Sequence, residues 1–211
     1  MYEPPLHREE NLARQHALIR ARPLGLLISS GPSGVVANAI PFLLEPAAST
    51  LGTLKAHMAR ANPQWRELVQ APDALVVFQG AEHYVTPSWY ATKRATGKVV
   101  PTWNYVMVQA RGRAKIMDDA WLSRQIQALT NEREAARDAP WAVQDAPADF
   151  IAMQRRAIVG IEIEIRDIRG KWKTSQNRPV ADRAGVVAGL EALGDEAALA
   201  MAALVRDTGL D

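Results

Sequence analysis

Apolar and polar residues alternate without a break from Gly160 to Ile168. Ile161, Ile163 and Ile165 fall on one face, and Glu162, Glu164 and Arg166 on the other, the pattern of a half-buried strand. Leu24 to Ser30 reads as a strand, Gly31-Pro32-Ser33-Gly34 as a turn, and Val35 to Glu45 as the return strand. Leu51 to Met58 is extended, as is Asp73 to Gly80 around the apolar run Ala74 to Phe78, with His83 to Thr86 a further short strand. Val99 to Met117 is the longest extended stretch. Helical spacing appears instead over Glu9 to Arg22, where Leu12, His16 and Ile19 recur and Pro23 ends the run. Asn62-Pro63 opens a second helix, with Asn as cap and Pro at a position whose missing N–H costs nothing. Asp118 to Ala136, Phe150 to Ile158 and Asp182 to Val205 complete the helices, the last broken at Gly194. Strands without regular β–α alternation exclude a doubly wound sheet and predict an α+β fold: a mostly antiparallel β-barrel decorated by helices, with a C-terminal helical segment. The expected organisation is one main domain over residues 1–180 and a helical extension over 181–211.

Composition narrows the chemistry. The 211 residues are 48% hydrophobic and 23% charged, ordinary values for a globular chain. There is no cysteine, which excludes disulfides, thiolate catalysis, zinc–thiolate sites and iron–sulfur clusters. The polar, acidic N-terminus is unlike a signal peptide, and no run approaches the roughly 18 apolar residues of a membrane span. A soluble, cytoplasmic protein is expected. The formal net charge of +2 is not the strong basic stripe of a nucleic-acid binder.

Four dense segments carry the candidate chemistry: His57 to Trp65, Tyr84 to Tyr90, Val99 to Tyr105 and Lys171 to Arg178. Each mixes planar rings with amide, hydroxyl or cationic donors, as a site for a planar, polar-rimmed anionic ligand does. His57, Arg60 and Asn62 lie between a strand end and a helix start, and read equally as a capped helix with a solvated arginine. Ser88, Tyr90 and Lys93 follow a Pro-Ser helix start, with Trp89 and Tyr90 available for ligand, core or dimer interface. Thr102, Trp103 and Asn104 alternate on a strand, so Thr102 and Asn104 share a face opposite Trp103 and Tyr105. Lys173, Gln176 and Arg178 follow a strand and form either a solvated loop or an anion clasp. His7, His16 and His83 lack metal-ligand spacing, Glu162 and Glu164 face outward, and no glycine-rich loop signals a Rossmann site.

The words HMARANPQW, YVTPSWY, VPTWNY and KxKxSQNR, in this order and spacing, resemble the PaiB family, FMN-binding negative transcriptional regulators. The resemblance runs from Met1 to about Leu190. It implies the flavin-binding split β-barrel, related to pyridoxamine-phosphate oxidases, and a homodimer with FMN at the subunit interface. It points to Arg60 as phosphate anchor, with His57 beside it and the N–H groups of the following helix in support. Ser88, Tyr90 and Lys93 would approach the flavin ring or phosphate, Thr102 and Asn104 its pyrimidine edge. Lys173, Gln176 and Arg178 would clasp the partner's cofactor. The chain departs from the family pattern at His7, Ala81, Thr86, Gln109 and Thr174, and Gln109 stands where a histidine often serves. A regulator needs a DNA-reading element. The best helix-turn-helix candidate, Gly185 to Val205 turning at Gly194-Asp195, has no Arg, Lys, Asn or Gln in its second helix and reads as a packing helix. DNA contact would then fall on Arg133, Arg137, Arg155 and Arg156. The other readings are an FMN-dependent oxidoreductase, either an NAD(P)H flavin reductase or a small-molecule oxidase, and a flavin protein that senses redox state.

Overall fold

The computed structural model describes residues 1–209. Its strands are β1 (Arg8–Glu9), β2 (Leu24–Gly31), β3 (Gly34–Glu45), β4 (Thr53–Ala59), β5 (Asp73–Val85), β6 (Thr102–Met117) and β7 (Ile158–Lys173). The helices are α1 (Leu12–Ala21), α2 (Gln64–Gln70), α3 (Ala91–Thr96), α4 (Asp119–Glu134), α5 (Ala148–Arg156), α6 (Val180–Leu193) and α7 (Glu196–Arg206). The strands run in the order β1-β7-β4-β3-β2-β5-β6, and β7 pairs with β6 as well, so the sheet closes on itself. The α+β, mostly antiparallel split-barrel class is the one the sequence predicts.

Several boundaries differ from the sequence reading, for local reasons. Helix α1 begins only at Leu12, because the Asn11 side chain accepts the N–H groups of Ala13 and Arg14 and Glu9 belongs to β1. His83 to Thr86 is no separate strand: β5 runs unbroken from Asp73 to Val85. Gly80 in its middle faces Val106 and Leu18, which lie 2.4 and 2.6 Å from where a Cβ would stand. Strand β7 continues past Ile168 to Lys173, through a polar stretch that alternation cannot reveal.

By compactness the chain divides into two units. The middle unit comprises Ile19–Phe78 and Gln109–Ile168; the terminal unit comprises Met1–Leu18, Gln79–Val108 and the chain from Arg169 onward.

In the middle unit, β2 and β3 form a hairpin in register from Leu24↔Pro41 to Gly31↔Gly34, and Gly34 takes the positive φ of 90° that the turn needs. β2 also pairs with β5, β3 with β4, and β4 with β7. Their inward side chains, including Leu27, Phe42, Leu54, Val76, Phe78, Ile161 and Ile163, are buried. Each such burial contributes about 1.5–3 kcal/mol. Phe42 and Phe78 meet edge-to-face at 5.8 Å. Gln64 of α2 is fully buried and ties the hairpin to its helix: its amide N–H groups donate to Leu27 O and Ser29 Oγ, and its Oε1 accepts from Asn38. The outer face of β2 and β3 leaves Leu24, Leu26 and Val35 exposed.

In the terminal unit, α6 and α7 pack as a pair around Val186, Leu190, Met201 and Val205, joined by Val85 and Tyr90. Gly194 ends α6 with a φ of 73°, and the Asp195 side chain caps α7 by accepting the Ala198 N–H at 2.9 Å. The turn thus lies at Gly194-Asp195, as the sequence predicts. Gly189 leaves a notch that Trp89 fills, its indole 2.3 Å from where a Cβ would be.

Candidate functional site

The segment from Lys171 to Arg178 brings three cations of the terminal unit together. Lys171, two residues before the end of β7, has only 7% of its surface exposed. Its ammonium donates to the Tyr2 carbonyl at 3.1 Å and lies 5.4 and 5.1 Å from the ring centres of Tyr2 and Tyr105. Lys173 donates to the Thr102 hydroxyl at 2.5 Å and to the Trp103 carbonyl at 2.8 Å. Burial pushes its pKa down; Tyr105 opposes that, and Lys171 and Arg178 add to it. Arg178 lies over the Tyr90 ring at 4.6 Å. His7 places Nδ1 3.2 Å from Gln176 Oε1, and burial lowers its pKa against that hydrogen bond, with Lys173 and Lys171 lowering it further. No carboxylate hydrogen-bonds or pairs with Lys171, Lys173, Arg178 or His7 among the described residues.

Neutral groups complete this cluster. Asn104 is fully buried; its amide N–H donates to Ser175 Oγ at 2.8 Å, while its Oδ1 has no partner. Ser175 adopts a positive φ of 66°, the only non-glycine residue described that does. The Gln176 amide is spent within the segment, donating to Trp172 O and accepting from Thr174 N.

Sequence reasoning singles out Lys173, Ser175, Gln176, Arg178 and Asn104, names Lys171 only as the start of its segment, and reads His7 as a core or surface residue. The missed signal is a lysine near the end of an alternating strand, on the buried side of the pleat. Of the two roles open to Tyr90, the structure shows the packed one: it is fully buried among Val85, Val186 and Leu190. Its ring supports Arg178 and does not offer a face to a ligand. Ser88 and Lys93 form an exposed pair, Nζ to Oγ at 3.1 Å. The helix expected from Pro87 is a short 3-10 turn followed by α3, with Tyr90 extended between them. Trp103 is exposed, donates its indole N–H to Glu82 and meets Tyr84 edge-on at 5.9 Å.

His57, Arg60 and Asn62 belong to the middle unit. His57 Nδ1 sits 2.8 Å from Oε1 of the buried Gln125 of α4. A cavity of about 390 Å3 adjoins this pair, lined by Gln125, Trp121, Arg124, Lys55 and Leu43. Arg60 donates Nε to Arg156 O at 2.8 Å and Nη2 to Ile158 O at 2.9 Å. Its remaining three N–H donors have no acceptor among the described residues. The guanidinium is therefore braced and still able to grip an anion. Asn62 caps the helix as the sequence reading expects, and that capping takes up an N–H that the same reading offers to a phosphate. Asn62 Oδ1 already accepts the Gln64 N–H at 3.0 Å, and Arg66 N donates to Pro63 O. Those two groups are not free for a phosphate.

The geometry matches known proteins. The solved structure of the FAD and heme binding protein from Mycobacterium smegmatis superposes with a TM-score of 0.59 at 17% identity, covering 79% of this chain and 73% of that one. A conserved protein of Mycobacterium tuberculosis gives 0.58 at 13% identity, covering 85% and 94%. These likenesses show the fold. In sequence, an uncharacterized protein of Emericella nidulans is 37% identical over 245 residues, spanning 99% of this chain and 98% of the relative. The protease synthase and sporulation protein PAI 2 of Bacillus subtilis is 28% identical over 207 residues, spanning 98% and 97%. Residues 1–167 match the family model described as "Putative FMN-binding domain", and to that family this chain belongs.

Proposed function

We propose that this chain is a homodimeric FMN-binding protein of PaiB type, a negative transcriptional regulator. The observation that carries FMN binding is the assembly of Lys171, Lys173, Arg178 and His7 without a carboxylate, beside an orphaned acceptor on Asn104. Uncompensated buried cations are costly, and a bound anion offsets that cost. The residues fit FMN. Its pyrimidine edge carries carbonyl oxygens for the cations and one N–H for Asn104 Oδ1. Thr102 and Gln176 hold this cradle in shape by bonding Lys173 and the segment's backbone. Arg60 is the proposed phosphate anchor, with His57 as its companion. Bound FMN supplies hydride chemistry that the chain's own residues need only orient.

The homodimer is supported by the outer face of β2 and β3. Leu24 and Leu26 expose 64% and 39% of their surface there. An apolar sheet face of this kind suits a protein partner.

The regulatory role rests on the PaiB resemblance and on the likeness to the Bacillus subtilis protein. One observation favours the second reading, an FMN-dependent oxidoreductase that does not bind DNA. Helix α7 buries Ala198, Met201, Ala202 and Val205, and Arg206 pairs with Glu191. Arg133, Arg137 and Arg155 are paired with Glu132, Glu134 and Asp119. Of the four arginines offered for DNA contact, only Arg156 is without an acidic partner among the described residues.

The test begins with an absorption spectrum of protein incubated with FMN and desalted. Flavin bands at about one FMN per chain establish the cofactor; an intact fold that retains none overturns the reading. Salt-sensitive retention of DNA then supports the regulator, and NADH oxidation without it supports the oxidoreductase.

A further inference from the structure

Arg111 and Arg113 stand two residues apart on β6 and so project from the same face of that strand. With Arg166 of β7 they line a cavity of about 510 Å3, whose apolar lining includes Ile28, Val35 and Leu75. None of the three guanidiniums makes a hydrogen bond within the described residues. Their nearest carboxylates stand off: Arg111 Nε is 3.9 Å from Asp167 and Arg113 Nε is 3.8 Å from Asp73, beyond hydrogen-bond reach. Among the described residues Arg166 pairs with no acid. About half of the Arg111 and Arg113 side-chain surface, 51% and 52%, is open to solvent. The cavity lies wholly in the middle unit and shares no residue with either group proposed for FMN.

We infer that this cavity binds a phosphorylated small molecule with an apolar or planar body, of the nucleoside diphosphate class. Planar guanidinium forks match phosphate oxygens in pairs, and three forks around one space suit more than one phosphate group. A bare phosphate makes no use of Ile28, Val35 and Leu75. A base or similar body does, because it exchanges water for apolar surface while the arginines hold the charged end. The concavity sets this site apart from a flat basic surface that tracks a nucleic-acid backbone. The inference stands independently of the flavin reading.

Calorimetric titration of the full chain with ADP at low ionic strength tests it. One site per chain is expected. Arg166→Ala should weaken ADP at least tenfold, and Arg166→Lys should fall between, since it keeps the charge and loses the fork. Arg22→Ala removes an exposed arginine outside the cavity and should leave ADP binding unchanged. Each variant should retain FMN at the wild-type level, and circular dichroism should show each one folded. The proposal is overturned by absence of ADP binding in the wild type, or by equal weakening in Arg22→Ala. It is also overturned if a duplex oligonucleotide occupies the three arginines and ADP does not displace it. Loss of FMN from Arg166→Ala would overturn it as well, by making the cavity part of the flavin site.

Discussion

Two segments rich in polar groups have opposite internal economies. Between His57 and Asn62 each side chain finds a protein partner: His57 meets Gln125, Arg60 meets two backbone carbonyls, and Asn62 takes the Gln64 N–H. Between Lys171 and Arg178 like charges crowd together, aromatic faces stand in for carboxylates, and a neighbouring amide oxygen is left unpartnered. Groups braced by protein partners need no ligand to hold their geometry, so the first segment is pre-organised. The second is left with cations that no carboxylate pairs among the described residues, and that is the feature on which the proposed anion site rests.

The largest expected effect strikes the platform beneath the second segment. Trp89 fills the notch at Gly189, and next to it Tyr90 lies under Arg178. Gly189→Ala puts a methyl 2.3 Å from the indole. Overpacking of this kind costs about 1–3 kcal/mol. The melting temperature should drop by roughly 2–4 °C for each kcal/mol lost. An unchanged melting temperature would mean that α6 slides freely past Trp89 and does not brace the segment.

Next is the braced arginine. Arg60→Ala should weaken FMN about a hundredfold, near 2.7 kcal/mol, as loss of a charge-assisted phosphate contact does. Fluorescence quenching of FMN measures it. Equal affinity in the variant would place the phosphate elsewhere and leave Arg60 as a clamp on Arg156 and Ile158.

Lys171→Met separates the two segments further, because its two readouts should move in opposite directions. FMN binding should weaken about tenfold, near 1.4 kcal/mol. The protein without FMN should hold or gain stability, since an apolar chain of similar length replaces a buried cation. A less stable protein with undiminished FMN affinity would recast Lys171 as a peg for the Tyr2 carbonyl.

The difference between the segments was only partly legible in the sequence. Alternation at Ile161, Ile163 and Ile165 and the Gly31 to Gly34 turn revealed the barrel strands, because period and turn chemistry are local. The break at Gly194 was visible for the same reason. Continuity of β5 through Gln79-Gly80-Ala81-Glu82 was hidden, since those residues carry no alternating apolar signal and Gly80 is there to admit Val106 and Leu18. The burial of Lys171 was hidden more deeply. Lysine reads as solvated, and only long-range placement of Tyr2 and Tyr105 shows otherwise. The bracing of Arg60 depends on carbonyls almost a hundred residues away in the chain, which no motif records. The motif words located the candidate positions; which of them are satisfied is a property of the fold.

The smallest effect probes the incomplete segment through His7. Burial and the neighbouring lysines hold its folded pKa below the ordinary 6.5, against the Gln176 hydrogen bond. The unfolded chain takes up this proton as pH falls through that ordinary value, while the folded chain resists until lower pH. Stability is therefore fully present above the unfolded pKa and declines as pH drops through it. As pH falls through that value, wild type should lose more stability than His7→Gln, read from denaturant unfolding at each pH. FMN then decides between the segments. An anion held beside Lys171 and Lys173 favours the protonated imidazole, so the excess loss should shrink or reverse in the FMN-loaded protein. If FMN binds and the His7-dependent slope stays as it was, the anion sits away from these lysines, and the segment's unpaired cations answer to some other ligand.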